Sequence, residues 1–393
     1  MDVTKIAPEM LSGGGSVGGG SVYPSRAEFI GTSPPIGVNS VVVLGWASPG
    51  DGGGGIYKAN ETPATNAFVV TANGRKFELV TEIANVRQFG ALGLEAPAGT
   101  YNDGNAFRAA FAYAKSKRCA VYAPAGTYHF PAGETITIDS QFTFYGDGPL
   151  TVLRCTDHVG TLFNINLATA PSNTVDKSCF RDFAAQAWFS SGSIAHTGVL
   201  ISVSGPTNSA FSWSLFKNIV SCGFYSFFVS SAGHHVTVHG NEGPTSWNQF
   251  HNITFMPFSR HHKRGFIFNT GSGTGNTFID CNGGMEESVW LYQGAGGGSY
   301  VVGDIVIMGG QFGGGGAPGS RVFVVASGMQ YRSRLRIQGM QADAGMEGVL
   351  SIGGASWSEV LIDVTRGGGT IMGTHPALES SSYGLPRSTI AAT

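Results

Sequence analysis

The chain is expected to fold as an all-β solenoid preceded by a small β module, and three observations lead there. Glycine supplies 60 of 393 residues, about twice the ordinary usage of ~7 %. Only 12 % of residues are charged, and Glu and Lys, which long helices favour, are scarce. Short apolar strands recur instead: Phe216–Ile219, Phe250–Ile253, Asn276–Ile279, Ile305–Ile307, Leu335–Ile337 and Val360–Ile362. Their starts lie about 25 to 35 residues apart, the period that a coil of three strands and three turns needs, so each reads as part of one rung. Rungs stacked roughly 4.8 Å apart make ~10 of them a rod about 50 Å long. An ordinary β-sandwich or barrel is the plainer reading of the composition alone.

The elements follow in order. Residues 1–22 form a leader that ends in G-G-G-S-V-G-G-G, which is linker chemistry. Residues 23–84 form the small β module, with Ser25–Ile30, Val41–Trp46, a G-D-G-G-G-G-I-Y loop, and a hairpin from Ala67 to Leu79 turning at Asn73-Gly74. The glycine run lacks a following G-K-[ST] and lies between strands, so it is read as a tight turn or a close packing point, not a phosphate cradle. Residues 85–372 form the solenoid. One amphipathic helix near its start has Asp103 at the N-cap, Phe107, Ala110, Phe111 and Ala114 at helical spacing, and Lys115, Lys117 and Arg118 in the last turn. That helix covers one open end of the rod. The Ser/Thr/Pro-rich tail, residues 373–393, is a weak cover for the other.

Residues 86–153 carry V-R-Q-F-G-A-L-G, A-V-Y-A-P-A-G-T-Y and T-F-Y-G-D-G-P-L-T-V-L. This stretch resembles the opening segment of the right-handed parallel β-helix proteins of the pectate-lyase-like superfamily, in which one short helix caps the solenoid. Two departures lie at its edge: Gly93-Leu94-Glu95 stands where an Asp-Gly element is usual, and Asn102-Asp103-Gly104-Asn105 starts the helix. Ser25-Arg26-Ala27-Glu28-Phe29 and the glycine loop resemble the module ahead of the β-helix in bacteriophage tail spike and tail fibre proteins. The resemblance implies a virion tail protein whose N-terminal segment docks on a tail or baseplate protein. It also implies a homotrimer, which the low charge suits, and recognition of a bacterial surface polysaccharide during adsorption, with its depolymerisation left open. Because one fold hosts many activities, a non-catalytic structural or adhesive tail component is the alternative. A secreted polysaccharide lyase is a weaker one, since neither a signal peptide nor a calcium-binding Asp cluster is present.

Several classes are disfavoured. A net charge of −2 provides no basic field for nucleic acid, and no apolar run is long enough to insert in a bilayer. Cys119, Cys155, Cys179, Cys222 and Cys281 are scattered and odd in number, which suits buried free thiols better than zinc or a disulfide framework. No cofactor or metal is expected.

No motif declares a reaction. Glycoside hydrolysis needs two carboxyl groups ~5 Å or ~6.5–9.5 Å apart, and a lyase needs a base and a cation. Asn276–Trp290 offers Asp280 after an apolar strand, then Glu286 and Glu287, with Trp290 as a sugar-stacking platform. In an extended strand Glu286 and Glu287 face opposite ways, leaving one available. Aligning Ile307, Ile337 and Ile362 places Asp304, Arg334 and Glu359 above one another. Arg332, Arg334 and Arg336 alternate with Leu335 and Ile337 and face outward, either to hold an acidic polysaccharide or, as the favoured reading, as a structural charge ladder. The clustered His234, His235, His239, His251, His261 and His262 suit a contact loop better than a metal site. Trp188, Trp213, Trp247 and Trp357 are left open between core, subunit contact and glycan platform.

Overall fold

The computed structural model describes residues 20–366 and 390–391, apart from 64–66, 96–100, 158–159, 189–197, 207–208, 233–244, 257–261, 270–274, 293–300, 303, 315–320, 326–329, 332–333, 343–347 and 353–358. Two hydrophobic cores separate the chain into a small mixed sheet and a long parallel β-helix.

The small sheet begins with Gly20–Tyr23 paired parallel to Ser40–Val43, and continues antiparallel through Gly55–Ala59, Lys76–Val80 and Phe68–Val70. The five-residue helix α1, Arg26–Ile30, is capped by Ser25, whose side chain accepts from the Glu28 N–H. Alternation puts Val41, Val43, Tyr57, Phe77 and Leu79 inside against Phe29. The glycine loop packs closely. Asp51 accepts from the N–H groups of Trp46, Ala47, Ser48 and Gly53, and a side chain at Gly53 or Gly54 would strike Trp46 or the Leu44 backbone.

From Ile83 onward most of the described strands join one all-parallel sheet system that ends at Ile390–Ala391, with two small parallel sheets beside it, Thr174–Asp176 with Ala210–Ser212 and Thr245–Ser246, and Val301–Val302 with Gln330–Tyr331. Each rung contributes to three strand columns. The first runs through Ala120–Ala123, Thr143–Gly146 and the opening residues of Cys179–Trp188, Leu215–Cys222 and Gln249–Phe255, then through Thr277–Ile279, Ile305–Met308 and Arg334–Ala342. The parity is set by Phe144, Phe180, Phe216, Phe250 and Phe278, which pair in register and are fully buried. Phe216, Phe250 and Phe278 stack ring on ring at 4.6 and 4.9 Å with planes 8° and 9° apart. Ile307, Ile337 and Ile362 pair in register as the rung spacing requires, which sets Arg334 opposite Glu359.

The helix α2, Gly104–Lys117, seals the first rungs with Phe107, Ala110, Phe111 and Ala114. Its start differs from expectation. The Asp103 side chain does not cap the helix; it accepts from the N–H groups of Leu92 and His129 and so ties the approach segment to the strand Gly126–Phe130. Asn102 takes the Gly104 N–H instead. All five cysteines are free; Cys155 and Cys281 are buried and the other three half-buried.

Candidate functional site

The outer surface of the first strand column is built by a short repeat. The sequences K-S-C-F-R-D (177–182), W-S-L-F-K-N (213–218), W-N-Q-F-H-N (247–252) and G-N-T-F-I-D (275–280) share one conformation. Each opens and closes on a left-handed residue: Lys177, Trp213, Trp247 and Gly275 at one corner, and Asp182, Asn218, Asn252 and Asp280 at the other, all with φ between 51° and 69°. The second residue of the repeat points inward and forms a buried ladder. Ser178 donates its backbone N–H to the Ser214 hydroxyl at 3.1 Å, Ser214 to the Asn248 side-chain oxygen at 2.9 Å, and Asn248 to that of Asn276 at 2.9 Å. The last residue forms an outer ladder, with the Asn218 amide donating to Asp182 at 2.8 Å and Asn252 to Asn218 at 3.0 Å.

Between the corners lies a flat face. Tyr122 stacks on Tyr145 at 5.0 Å, and the Arg181 guanidinium lies 4.7 Å over Tyr145 while pairing with Asp182. Lys217 is exposed on the next rung, and His251 follows in register. Desolvation, and secondarily the Lys217 charge, hold the His251 imidazole below its usual pKa, against the opposing pull of Asp280. At the first corner Trp213 and Trp247 stack with ring centres 5.4 Å apart and planes 8° apart, and remain 60 % and 36 % exposed. A bulky residue in the left-handed region costs on the order of 1–2 kcal/mol, and such strain concentrates at functional positions. In the next rung Gly275 takes the same conformation, and any side chain there would collide with the Trp247 ring.

The expected site residues separate. Asp280 is exposed at the end of the outer ladder. Glu286 and Glu287 follow on Asn282–Tyr292, where the register against His262–Phe268 shifts between Met285 and Ser288. This irregularity interrupts the alternation, so both glutamates lie partly exposed between buried Met285 and Ser288, contrary to the opposite-face expectation. Glu287 is engaged by Lys263 at 3.0 Å and by Arg264 Nε at 2.7 Å. Partial burial pushes its pKa up, but the Lys263 hydrogen bond and the Arg264 charge prevail and hold the carboxyl below its usual range. Trp290 corrects a second expectation. It is fully buried, stacked parallel to Phe266 and edge-on to Phe278 and Phe312, and presents no face to a sugar.

Asp280 stands at the corner and Glu286 six residues further on in the strand Asn282–Tyr292, at most about 20 Å away at ~3.3 Å per residue. Asp304 lines up with Gly275, at the opposite corner of the face from Asp280 and roughly 15 Å away. Arg336 is half-buried between buried Leu335 and Ile337, consistent with an outward position. Arg334 pairs through its backbone, and its side chain, like Arg332, lies outside the described residues. Of the histidines, His262 is a core residue against Phe224 and Phe255, and His234, His235, His239 and His261 fall outside the described residues, as does Trp357. The sequence reading named Trp213 and Trp247 with their role open and missed that they stack, although W-S-x-F and W-N-x-F at matching positions of the repeat mark the pair.

Comparison with known proteins gives the fold its family. No curated protein matches the sequence. Among solved structures, the tailspike protein of Acinetobacter phage vB_ApiP_P1 is 16 % identical with a TM-score of 0.50, covering 88 % of this chain and 65 % of its own. Tailspike protein 4 of bacteriophage CBA120 is 12 % identical at a TM-score of 0.49, covering 88 % of this chain and 49 % of its own. The tailspike gp49 of Acinetobacter baumannii bacteriophage Fri1, described as a capsular polysaccharide depolymerase, is 12 % identical at 0.42, covering 90 % and 75 %. The chain thus spans less than two thirds of the first two tailspikes. Residues 83–325 match the family model described as rhamnogalacturonase A/epimerase, pectate lyase-like. That segment covers most of the parallel β-helix, and the chain belongs to the rhamnogalacturonase A/epimerase, pectate lyase-like family.

Proposed function

We propose that this chain is the β-helical part of a phage tailspike and recognises a bacterial surface polysaccharide during host adsorption. The observation that carries the reading is the face between the two left-handed corners, where an exposed indole pair borders a flat, cationic and amide-lined strip running along the rungs. Aromatic platforms beside hydrogen-bonding amides suit the apolar faces and hydroxyl edges of sugars. The small N-terminal module is read as the part nearest the virion. On its outer side Val22, Val42, Ile56 and Val80 form one cross-strand row, three of them well exposed, and such a row supports side-by-side association in a homotrimer.

Recognition is put first because the exposed, stacked indole pair is the most developed feature of this face. A second reading, cleavage, is supported by one feature: exposed Asp280 lies close enough to His251 for its charge to act on the imidazole. The test incubates the purified protein with capsule and lipopolysaccharide preparations from candidate hosts and follows binding, reducing ends and unsaturated uronates. Binding without new ends supports recognition alone. New ends lost in Asp280→Asn support cleavage, and the absence of binding to every envelope glycan overturns the proposal.

A further inference from the structure

The glycine loop of the small module packs on the start of the rod. Asp51 turns its carboxylate back onto N–H groups of its own loop. The loop carbonyls accept from side chains of residues 85–88, most of which belong to the 3-10 turn Val86–Phe89. Arg87 Nη1 donates to the Asp51 carbonyl at 3.4 Å, Asn85 Nδ2 to that of Gly52 at 3.4 Å, and Gln88 Nε2 to that of Gly54 at 2.8 Å. Arg87 also reaches into the rod, where Nη2 donates to the Ala125 carbonyl at 2.7 Å. The approach is too close for side chains. A Cβ on Gly53 would stand 2.6 Å from the Arg87 carbonyl oxygen, and one on Gly90 would stand 2.8 Å from the Trp46 ring. A second contact joins the strand Lys76–Val80 to helix α2. The buried Tyr113 hydroxyl donates to the Leu79 carbonyl and accepts the Thr81 N–H, each at 3.2 Å, and Lys117 meets buried Glu78 at 3.1 Å. Phe89 packs against both hydrophobic cores.

We infer that the glycine loop is an acceptor socket for residues 85–88 and that, with the Tyr113 contact, it latches module and rod into one body. Domains joined by small polar interfaces ordinarily move against each other. Here that motion would strand hydrogen-bonded groups on both sides of the joint and split the apolar packing around Phe89. The socket also accounts for a glycine run that no phosphate-loop motif follows: backbone must approach backbone before these side chains can reach the carbonyls. The latch stands without the polysaccharide reading. Its consequence rests on the tail reading above: with the module held by a virion, the rod has one fixed direction.

Hydrogen exchange of the full chain, read by mass spectrometry, tests the latch with neither glycan nor virion. Peptides covering 40–43 and 76–80 of the module are expected to exchange as slowly as those covering 83–85 and 120–123 of the rod, because both wait for one shared opening. Arg87→Met and Tyr113→Phe release the module. Its exchange then rises about 10- to 100-fold above that of the rod strands, as follows from losing hydrogen bonds to a charged group or stranding a buried one. Arg75→Met is the control: its bonds run to Pro35 and Val38 inside the module, so it speeds exchange on both sides of the joint together. Gln88→Ala removes a single bond and serves if Arg87→Met does not fold, with a separation of about three- to tenfold. Module peptides that exchange more than about tenfold faster than the rod strands in the unaltered protein overturn the latch. So does unchanged exchange in both Tyr113→Phe and the folded variant at 87 or 88.

Discussion

Replacing Asn248 by alanine tests whether the buried ladder holds the rungs in register. Asn248 is fully buried; its side-chain oxygen accepts the Ser214 N–H at 2.9 Å, and its amide donates to the Phe211 carbonyl at 3.2 Å. Alanine removes both partners and leaves two buried backbone groups without water to replace them. At about 1–3 kcal/mol for each group so stranded, the loss is about 2–6 kcal/mol. Serine occupies the equivalent positions 178 and 214, so Asn248→Ser keeps an acceptor for Ser214 and loses only the contact to Phe211, about 1–2 kcal/mol. Guanidinium unfolding followed by tryptophan fluorescence should therefore rank native, serine, alanine. The signal comes partly from Trp213 and Trp247, directly beside the ladder. Serine and alanine variants equal to each other, and both within about 0.5 kcal/mol of native, would refute the ladder as the source of rung order.

Further expectations concern the core, one glycine and one carboxylate. Phe250→Ala opens a cavity between Phe216 and Phe278 and should cost about 3–5 kcal/mol by the same assay. Trp290→Ala should lose stability by a similar amount, while glycan binding by the folded fraction is retained; selective loss of binding with full stability would restore Trp290 as a platform. Gly275→Ala meets both a left-handed backbone and the Trp247 ring, so about 1–3 kcal/mol is lost and the indole emission shifts. Glu287 has a folded pKa below its unfolded value. Its contribution is present above the unfolded pKa and disappears as pH falls through the folded one. Because the group is partly exposed, the effect is under ~1 kcal/mol and should vanish in Glu287→Gln and in high salt.

The helix over 104–117, the hairpin at Asn73-Gly74 and the Ile307–Ile337–Ile362 register were all readable, because each depends on local periodicity or turn chemistry. Which of Phe278 and Ile279 faces the core was not readable from the strand alone; pairing with Phe250 settles it in favour of Phe278. Nor was Trp290 readable. The register shift between Met285 and Ser288 resets the alternation inherited from Phe278, and only pairing with Phe266 and Phe323 fixes which way the indole points. The glutamates were misjudged through the same irregularity. Trp213 and Trp247 lie 34 residues apart, and their stacking follows from rung geometry, which no single-strand pattern contains. Asp103 showed a helix-start residue whose side chain is drawn to other donors by the closing of the first rung.

The buried ladder has a direction. Phe142 donates its backbone N–H to Ser178, Ser178 to Ser214, Ser214 to Asn248 and Asn248 to Asn276, so each of these rungs is completed by the one that follows it. A chain leaving the ribosome N-terminus first therefore carries, at every moment, one unfinished rung at its growing end. Deleting rungs from the front would strand no donor of this ladder, whereas ending the chain after any of these rungs exposes one. The rod is thus polar in its tolerance of shortening, and a nonsense mutation and an N-terminal deletion of equal length are not equivalent injuries.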